Sequence, residues 1–261
     1  MANSKNSSWR SFVALGDSFT EGLDDERPDG SYRGWADLVA QRLAEELPST
    51  GDFRYANLAV RGKKMQDIVT EQVPRALEMQ PELVSLVGGV NDLMRPKFDL
   101  DVITGQLSES VAAFRESGVD VLLLVGANPA ARSTSMIGMM SNRLDALNQA
   151  VAEVARDQEC LVVDVSDVDI FYHFRLWSDD RLHLSTLGHE RVFGAFLESL
   201  DLGDGSWREP LPAMDPMSTR ERVLADSMWA GKFLAPWLGR RLTGRSSGDG
   251  REPKRPELAP L

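Results

Sequence analysis

Short apolar runs alternate with longer stretches of helical spacing along this 261-residue chain, and the alternation limits the possible folds more than any other feature. Runs typical of buried strands occupy residues 11–15, 55–60, 83–87, 119–125 and 161–165. Apolar residues recur at helical spacing over residues 35–47, 64–79, 100–117, 137–157 and 185–200. Strands that alternate with helices run parallel, with right-handed crossovers and helices on both faces of the sheet. The predicted fold class is α/β, a three-layer α/β/α sandwich with a five-stranded parallel sheet.

Two residues refine the helix boundaries. Pro74 lies within the stretch 64–79, and because a proline inside a helix removes a hydrogen bond, we expect a kink or a break there. Ser185 opens the last predicted helix of the α/β region. Since a serine hydroxyl accepts readily from the N–H groups of a first turn, Ser185 is expected to be its N-cap.

The character of the sequence changes after residue 203. Residues 9–203 hold the alternating strands and helices, and residues 204–261 form a predicted C-terminal extension. This extension consists of a connector with three prolines at 207–216, a predicted helix at 218–238 and a polar basic tail. The tail from Gly239 contains six basic residues, three acidic residues and four glycines. We expect it to be extended, either against the domain or disordered.

The composition argues against several classes of protein. A formal net charge of −11 disfavours nucleic-acid binding, because phosphate backbones are held chiefly by lysine and arginine. Cys160 is the only cysteine, so no intrachain disulfide can form, which fits a reducing compartment. No apolar run approaches the ~20 residues of a membrane-spanning helix, and residues 1–10 lack the apolar stretch of a signal peptide. We therefore expect a cytoplasmic protein with no nucleic-acid partner; the sequence does not predict the oligomeric state.

Polar residues follow each predicted strand. Ligands of open parallel sheets bind outside the carboxyl ends of the strands, so these residues mark the candidate active site. In chain order they are Gly16-Asp17-Ser18, Arg61-Gly62, Gly88-Gly89-Val90-Asn91-Asp92, Asn128-Pro129 and Trp177-Ser178-Asp179-Asp180-Arg181-Leu182-His183. We expect them to converge on one edge of the sheet.

Each of these pieces also has an ordinary structural explanation. A serine after a strand is most often a helix N-cap, a lone glycine most often marks a turn, and an Asp-x-x-His is commonly a charge pair. An asparagine at such a place commonly bonds its own loop. The chain has only three histidines, His173, His183 and His189. We expect His189 to pack inside the last helix and His173 to be partly buried. His183, three residues after Asp180, is then the best-placed base.

Four of the blocks together resemble the SGNH hydrolase superfamily, also called GDSL lipases and esterases. In that family Gly-Asp-Ser ends the first strand, a lone glycine follows the second, Gly-x-Asn-Asp follows the third and Asp-x-x-His lies near the C-terminus. The matching blocks here, in the family order, are Gly16-Asp17-Ser18, Gly62, Gly89-Val90-Asn91-Asp92 and Asp180-Arg181-Leu182-His183. Phe19 stands where the family has leucine. The tail resembles those of actinobacterial members and lies outside the family core.

The resemblance implies a flavodoxin-like SGNH hydrolase fold, with residues 9–203 as the catalytic domain. It also implies a catalytic triad. Ser18 would be the nucleophile, and His183 would take its proton and return it to the leaving alcohol. Asp180 would bind the other ring nitrogen and stabilise the imidazolium.

By the same resemblance, the tetrahedral intermediate would be bound by three hydrogen-bond donors. These are the backbone N–H groups of Ser18 and Gly62 and the side-chain amide of Asn91. Three further residues would hold the loops in shape: Asp17, Gly89 and Asp92. The sequence contains no metal-ligand cluster and no glycine-rich phosphate loop, so we predict neither a metal nor another cofactor.

The function predicted from this pattern is that of a serine esterase, which hydrolyses carboxylic esters of small or medium acyl chains through an acyl-enzyme. Alternatives on the same fold are a carbohydrate O-acetylesterase or deacylase, a thioesterase and a lysophospholipase. A non-catalytic binding protein is the rival from another class, because a fold alone does not dictate function. The joint presence of the triad and oxyanion residues argues against that rival.

The substrate side is less defined in the sequence. The main candidates for substrate contact are Trp35, Asn128 and Trp177, and further candidates near the strand ends are Tyr32, Arg33, Arg132 and Ser178. Met136, Met139 and Met140 either form a pliable apolar flap over an acyl chain or begin a core-facing helix. Deletion after Leu242 is expected to leave turnover of a small ester largely intact, because the tail lies outside the family core.

Overall fold

The computed structural model describes residues 9–47, 52–128, 137–212, 218–236 and 246–261. Six strands form one sheet in the order β5-β4-β3-β1-β2-β6. Their bounds are β1 (Ser11–Gly16), β2 (Arg54–Asn57), β3 (Leu83–Val87), β4 (Asp120–Val125), β5 (Leu161–Asp164) and β6 (Arg255–Pro260). β1 to β5 pair in parallel, in the strand order of a flavodoxin-like fold. The α/β class is confirmed, and the predicted count of five strands is corrected to six, in a mixed sheet.

Helices pack on both faces of this sheet. Within the described ranges the α-helices are α1 (Ser18–Glu21), α2 (Gly34–Glu46), α3 (Met65–Asp67), α4 (Val73–Met79), α5 (Val90–Leu93), α6 (Leu100–Glu116), α7 (Ile137–Asp157), α8 (Thr186–Ser199) and α9 (Thr219–Trp229). None of these helices is long and apolar enough to cross a membrane.

The two faces of the sheet carry two separate apolar cores, and β1 contributes to both because successive strand residues point to opposite sides. Val13 and Leu15 belong to the core that includes residues of α3, α4, α6 and α7. Phe12 and Ala14 belong to the opposite core, with residues of α2 and α8. The predicted three-layer sandwich is therefore confirmed, and the carboxyl end of its central strand carries the Gly-Asp-Ser block.

The sixth strand comes from the tail that was expected to be extended or disordered. β6 pairs antiparallel with β2, which would otherwise be an edge strand. The segment Arg255-Pro-Glu-Leu-Ala-Pro260 has two prolines and no apolar alternation, so its sequence does not indicate a strand. Proline is tolerated at a sheet edge, where one side of the strand needs no partner. Leu258 is its buried residue, at 8% exposure, and packs into the first of the two cores.

The two local predictions are also confirmed. A π-helical turn (Ile68–Gln72) interrupts the predicted helix over 64–79, and Pro74 lies in the first turn of the α-helix that resumes after it. The hydroxyl of Ser185 accepts a hydrogen bond from the Gly188 N–H, at 3.2 Å, as the N-cap of α8.

Candidate active site

Ser18 lies where β1 ends and α1 begins. The carboxylate of Asp17 caps this short helix, since its Oδ1 accepts a hydrogen bond from the Phe19 N–H at 3.1 Å. The interpretation of Ser18 as the helix cap is therefore wrong, because Asp17 does that work. The Ser18 hydroxyl remains available for a different partner.

The residue that ends the π-helical turn holds the backbone just before Asp17. Gln72 Oε1 accepts from the Gly16 N–H at 2.8 Å, and Gln72 Nε2 donates to the Gly16 carbonyl at 2.9 Å. These two bonds fix the last peptide groups of β1, directly before Asp17 and Ser18. π-helical turns are frequent at functional sites, and here the turn carries a side chain into the site.

The predicted triad residues lie within hydrogen-bond distance of one another. His183 Nε2 is 3.0 Å from Ser18 Oγ, and His183 Nδ1 is 2.6 Å from Asp180 Oδ2. The other carboxylate oxygen of Asp180 accepts from Ser178 Oγ at 2.7 Å and from the N–H groups of Leu182 and His183 at 2.9 Å each. Asp180 is thus fixed from both sides, and it can hold the imidazole in one tautomer.

The electrostatics favour a basic histidine beside an ionised aspartate. Burial lowers the pKa of His183, but the hydrogen bond and charge of Asp180, with the charges of Asp24 and Asp17, outweigh it and raise the pKa above its ordinary 6.5. Burial acts to raise the pKa of Asp180, but its bonds with His183 and Ser178 hold that pKa well below the ordinary value. Proton transfer from Ser18 to His183 therefore gains from the nearby negative charge.

Asp24 adds a second carboxylate to the histidine, and no pattern in the sequence singled it out. Its Oδ2 lies 4.0 Å from His183 Nδ1. Asp24 has a φ of +71°, in the left-handed region that few residues other than glycine adopt. Ligand atoms of Asp24, Asp180 and His183 lie within 4.8 Å of one another, so these are the described side chains that could approach a cation together. Since His183 Nδ1 is bonded to Asp180, the geometry is better suited to orienting the imidazole.

Gly62 lies on a loop that is anchored to α1. Glu21 accepts hydrogen bonds from the Arg61 backbone N–H, at 2.7 Å, and from the Arg61 guanidinium, and the pair is largely buried. Gly62 itself has a φ of +77°, which favours glycine. Within the described part of the chain, the N–H groups of Gly62 and Ser18 make no hydrogen bond. Both N–H groups are therefore free to donate to a bound molecule.

The side-chain amide of Asn91 is already engaged. Asn91 Nδ2 donates to Asp17 Oδ2 at 2.9 Å and to the Lys63 carbonyl at 3.0 Å. Because both acceptors are oxygens, the amide nitrogen must face them. An oxyanion could be bound by this group only by sharing or replacing one of these bonds. Asn91 also ties the Asp17 loop to the backbone next to Gly62.

The predicted supporting residues lie in these same loops. Burial raises the pKa of Asp17 to about 6, although the bond from the Phe19 N–H opposes the shift. Asp92 Oδ2 accepts from the Met65 N–H at 2.9 Å and so ties the loop after β3 to α3. Gly89 precedes α5 with a φ of +98°, a backbone conformation that disfavours other residues.

Two of the predicted substrate contacts are corrected. Trp35 is fully buried and stacks on Phe196 with ring centroids 3.9 Å apart, so it belongs to the core. Asn128 is 3% exposed and its Nδ2 donates to Ser141 and to Asp145, so it also does not line the mouth of the site. Trp177 is half-buried, three residues before Asp180 in the chain, and stays a candidate for substrate contact.

Other substrate-side candidates fall outside what the structure describes. Arg132 and Met136 lie outside the described residues, and so does the side chain of Met139. Met140 is 37% exposed near the start of α7, which begins within the stretch that sequence analysis assigned to a flap or a helix.

The C-terminal extension contacts the loop that carries Asp180 and His183, which the sequence did not indicate. Trp229 Nε1 donates to the carbonyl of Asp180 at 2.8 Å. Arg181 packs over the Trp229 ring, 5.2 Å from its centroid, and pairs with Asp226 at 2.7 Å. A tryptophan in a polar helix gives no hint of this contact. Glu21 and Arg61, in contrast, are opposite charges that follow neighbouring strands, and that pairing could have been inferred.

Solved structures with the same fold include an α/β hydrolase and an acetylxylan esterase. An α/β hydrolase, LAE5, from the metagenome of Lake Arreo in Spain superposes with a TM-score of 0.63 at 22% identity, over 75% of this chain and 97% of that chain. Axe2, an acetylxylan esterase from Geobacillus stearothermophilus, gives 0.62 at 20% identity, over 75% and 97%. TesA gives 0.59 at 21% identity, over 73% and 97%. These likenesses support the fold.

Sequence comparison identifies the family. No curated protein sequence matches this chain significantly. The sequence profile of the GDSL-like lipase/acylhydrolase family, in contrast, matches residues 14–191, from the middle of β1 through the Asp-x-x-His block into α8. The match covers more than half of the chain and includes every residue assigned by resemblance to the triad and the oxyanion hole. The chain belongs to the GDSL-like lipase/acylhydrolase family of the SGNH hydrolase superfamily.

Proposed function

We propose that this carboxylic-ester hydrolase cleaves esters of small acyl groups, with Ser18 as nucleophile, His183 as general base and Asp180 as its orienting partner. The observation that carries the proposal is the 3.0 Å contact between Ser18 Oγ and His183 Nε2, with Asp180 2.6 Å from the other ring nitrogen. In a member of an acylhydrolase family, this arrangement suits acyl transfer to serine.

The reaction proceeds in two halves. Ser18 Oγ attacks the ester carbonyl carbon while His183 takes the hydroxyl proton, and the tetrahedral intermediate then expels the alcohol, which receives that proton from His183. Water next attacks the carbonyl carbon of the acyl-Ser18 ester and loses a proton to His183. The second intermediate then breaks its bond to Ser18 Oγ, which regains the proton from His183, and the carboxylic acid is released. The N–H groups of Ser18 and Gly62, with the amide of Asn91, stabilise the oxyanion in both halves.

The preference for small acyl groups rests on the polarity of the site. Among the described residues, three acids and one amide contact Ser18 and His183 or the groups next to them: Asp17, Asp24, Asp180 and Asn91. A long acyl chain placed against Asp24 and Asp180, whose side chains are 35% and 19% exposed, would desolvate them without pairing them, which costs free energy. An acetylated carbohydrate is the second candidate substrate, because its hydroxyl groups could pair with such groups and because Axe2, with the same fold, is an acetylxylan esterase.

A chain-length series tests the substrate class. We expect kcat/KM to be highest for p-nitrophenyl acetate or butyrate and to fall by about tenfold or more by the octanoate, since each misplaced methylene group alters pocket binding. Acetylated xylo-oligosaccharides, assayed by acetate release, test the second candidate. A kcat/KM that rises with acyl length would favour a lysophospholipase or a thioesterase. An enzyme that hydrolyses no ester in the series would favour a binding protein.

The pH profile tests the role of His183. The neutral imidazole is the base, so kcat/KM is expected to fall as the pH drops through the pKa of His183, which is raised above 6.5. Asp24→Asn removes one of the charges that raise this pKa and should move the acid limb to lower pH by roughly half a unit. Asparagine tolerates the positive φ of Asp24, so the backbone is preserved.

Asp29→Asn is the matched control for that shift. Asp29 lies on the same connection between α1 and α2 and bonds Ser31 instead of the histidine. Its replacement should leave the acid limb in place. If Asp24→Asn and Asp29→Asn shift the limb equally, or if neither does, Asp24 does not set the basicity of His183.

A further inference from the structure

The C-terminal segment 246–261 lies beyond the residues that match the family profile, yet part of it contacts the Gly62 loop. A β-carbon placed on Gly62 would overlap Ser246 Oγ. A β-carbon placed on Gly248 would overlap the carbonyl oxygen of Arg61. Residues 246–248 therefore pack directly on the backbone of Arg61 and Gly62, at distances that only glycine allows.

The segment is held in this place by contacts of its own. At its start, the Ser246 N–H donates to Asp249 Oδ2 at 2.8 Å, and Arg251 Nε donates to the Ser247 carbonyl at 3.0 Å. These bonds close a compact turn over the loop. The turn therefore has hydrogen bonds of its own besides its contact with Gly62.

The end of the segment is anchored to the rest of the domain. Lys254 is largely enclosed and its Nζ lies 2.9 Å from Asp37 Oδ1 and 3.2 Å from the Tyr32 carbonyl. Next along the chain, β6 pairs with β2, the strand that leads into the Gly62 loop. The turn is therefore fixed relative to the sheet and can transmit that position to the loop.

The residues on either side of Gly62 are also held in place by hydrogen bonds. Glu21 holds Arg61, and Asn91 holds the carbonyl of Lys63. Glu21 and Asn91 do not contact Gly62 through these bonds, and residues 246–248 supply that contact. A peptide N–H that must meet a developing oxyanion has to be placed closely, since a displacement of about 1 Å can cost on the order of 100-fold in rate.

We propose that residues 246–248 position the Gly62 N–H for the oxyanion, which makes the C-terminal segment a working part of the active site. The proposal rests on the proposed esterase function. It reverses the expectation that deletion after Leu242 leaves turnover of a small ester intact. Ser246 and Gly248 act through Gly62 and are positioning residues.

Gly248→Ala tests the contact with little other disturbance. The backbone of Gly248 is outside the left-handed region, so the new methyl group acts through its overlap with the Arg61 carbonyl and a tight contact, at 3.3 Å, with Val60 of the same loop. We expect kcat for p-nitrophenyl acetate to fall about tenfold or more while KM stays within about twofold, because oxyanion stabilisation belongs to the transition state. Amide hydrogen exchange in a peptide spanning residues 58–64 should become faster. Ser246→Gly, which removes the hydroxyl group beside Gly62, should show a smaller loss of the same kind.

Gly250→Ala is the matched control. Gly250 lies in the same turn, with open space around its α-carbon, and a φ of +71° makes its replacement the more strained of the two. It should leave kcat and the exchange of residues 58–64 near the wild-type values. If Gly248→Ala folds and keeps its kcat, or if Gly250→Ala loses as much, the proposal is overturned. If the wild-type protein hydrolyses no ester, the proposed function fails, and the exchange comparison alone decides whether residues 246–248 hold the loop.

Discussion

Ser18→Ala is expected to lower kcat for p-nitrophenyl acetate by about 10⁴-fold to 10⁶-fold, the range seen when a triad nucleophile is removed. In the proposed mechanism Ser18 Oγ bonds to the acyl carbon, and no other described hydroxyl lies at 3.0 Å from His183 Nε2. His183→Ala should cost a similar amount, because an unactivated serine is a poor nucleophile at neutral pH. The double variant should be little worse than either single one, since the two residues act as a unit.

Labelling with a fluorophosphonate, followed by mass spectrometry, gives a second measurement. The wild-type chain should carry the label on Ser18, Ser18→Ala should carry none, and His183→Ala should be labelled slowly. His173→Ala is the matched control, because His173 accepts from the Arg175 N–H and stacks on Phe174 instead of meeting Ser18. It should keep nearly full turnover. A Ser18→Ala protein that retained more than about one hundredth of the wild-type kcat would exclude this mechanism.

The strands and most helices could be predicted because both faces of the sheet are buried. A parallel strand that is buried on both sides is largely apolar, as β1, β3 and β4 are, and such runs stand out from their surroundings. The residues that follow these strands then converge for topological reasons alone. The order of the four blocks along the chain was therefore enough to predict that Ser18, Asp180 and His183 lie close together.

β6 could not be predicted, because apart from Leu258 it is held mainly through its backbone and not through a pattern of buried side chains. Its backbone completes the hydrogen bonds of β2, and the Arg54 guanidinium and Arg75 guanidinium bind its carbonyls at Leu258 and Pro256. Any extended segment could satisfy such an edge. Which segment does so depends on where the chain returns in three dimensions.

The predictions of substrate contact for Trp35 and Asn128 were wrong for a related reason. Trp35 was placed near a strand end from its position in the sequence, but its indole packs in the core, where it stacks on Phe196 and lies 5.8 Å from the ring of Phe19. Position along the chain predicts which loop a residue belongs to. It does not predict the direction of the side chain, which is set by packing against partners far away in sequence.

Asn91→Ala is expected to lower kcat by about 10²-fold to 10³-fold, the usual cost of losing an oxyanion donor, with a smaller change in KM. In this site the loss has two origins. The amide is itself a proposed donor, and it also holds the Lys63 carbonyl next to Gly62 and the carboxylate of Asp17 next to Ser18. Steady-state kinetics with p-nitrophenyl acetate measure the combined loss of kcat from both origins.

Asn148→Ala separates catalysis from simple loop anchoring. Asn148 is a buried asparagine that bonds a loop backbone in a similar way, accepting from the Gly126 N–H at 3.0 Å and donating to the Gly126 carbonyl at 2.7 Å, after the neighbouring strand β4. Both replacements should destabilise the fold by about 1–3 kcal/mol, since each leaves buried backbone or carboxyl groups unpaired. Only Asn91→Ala should lose kcat by two orders of magnitude or more. Equal kcat for the two variants would remove Asn91 from the oxyanion hole.

Combining Asn91→Ala with Gly248→Ala then shows whether the two residues act through the same peptide group. If residues 246–248 and Asn91 both position the Gly62 N–H, the donor is already misplaced in either single variant. The combined loss of transition-state stabilisation should then be smaller than the sum of the two losses. If Asn91 acts only through its own amide, the two losses should add. Sub-additive losses would make the Gly62 loop the shared element, held from one side by the motif after β3 and from the other by the C-terminal segment.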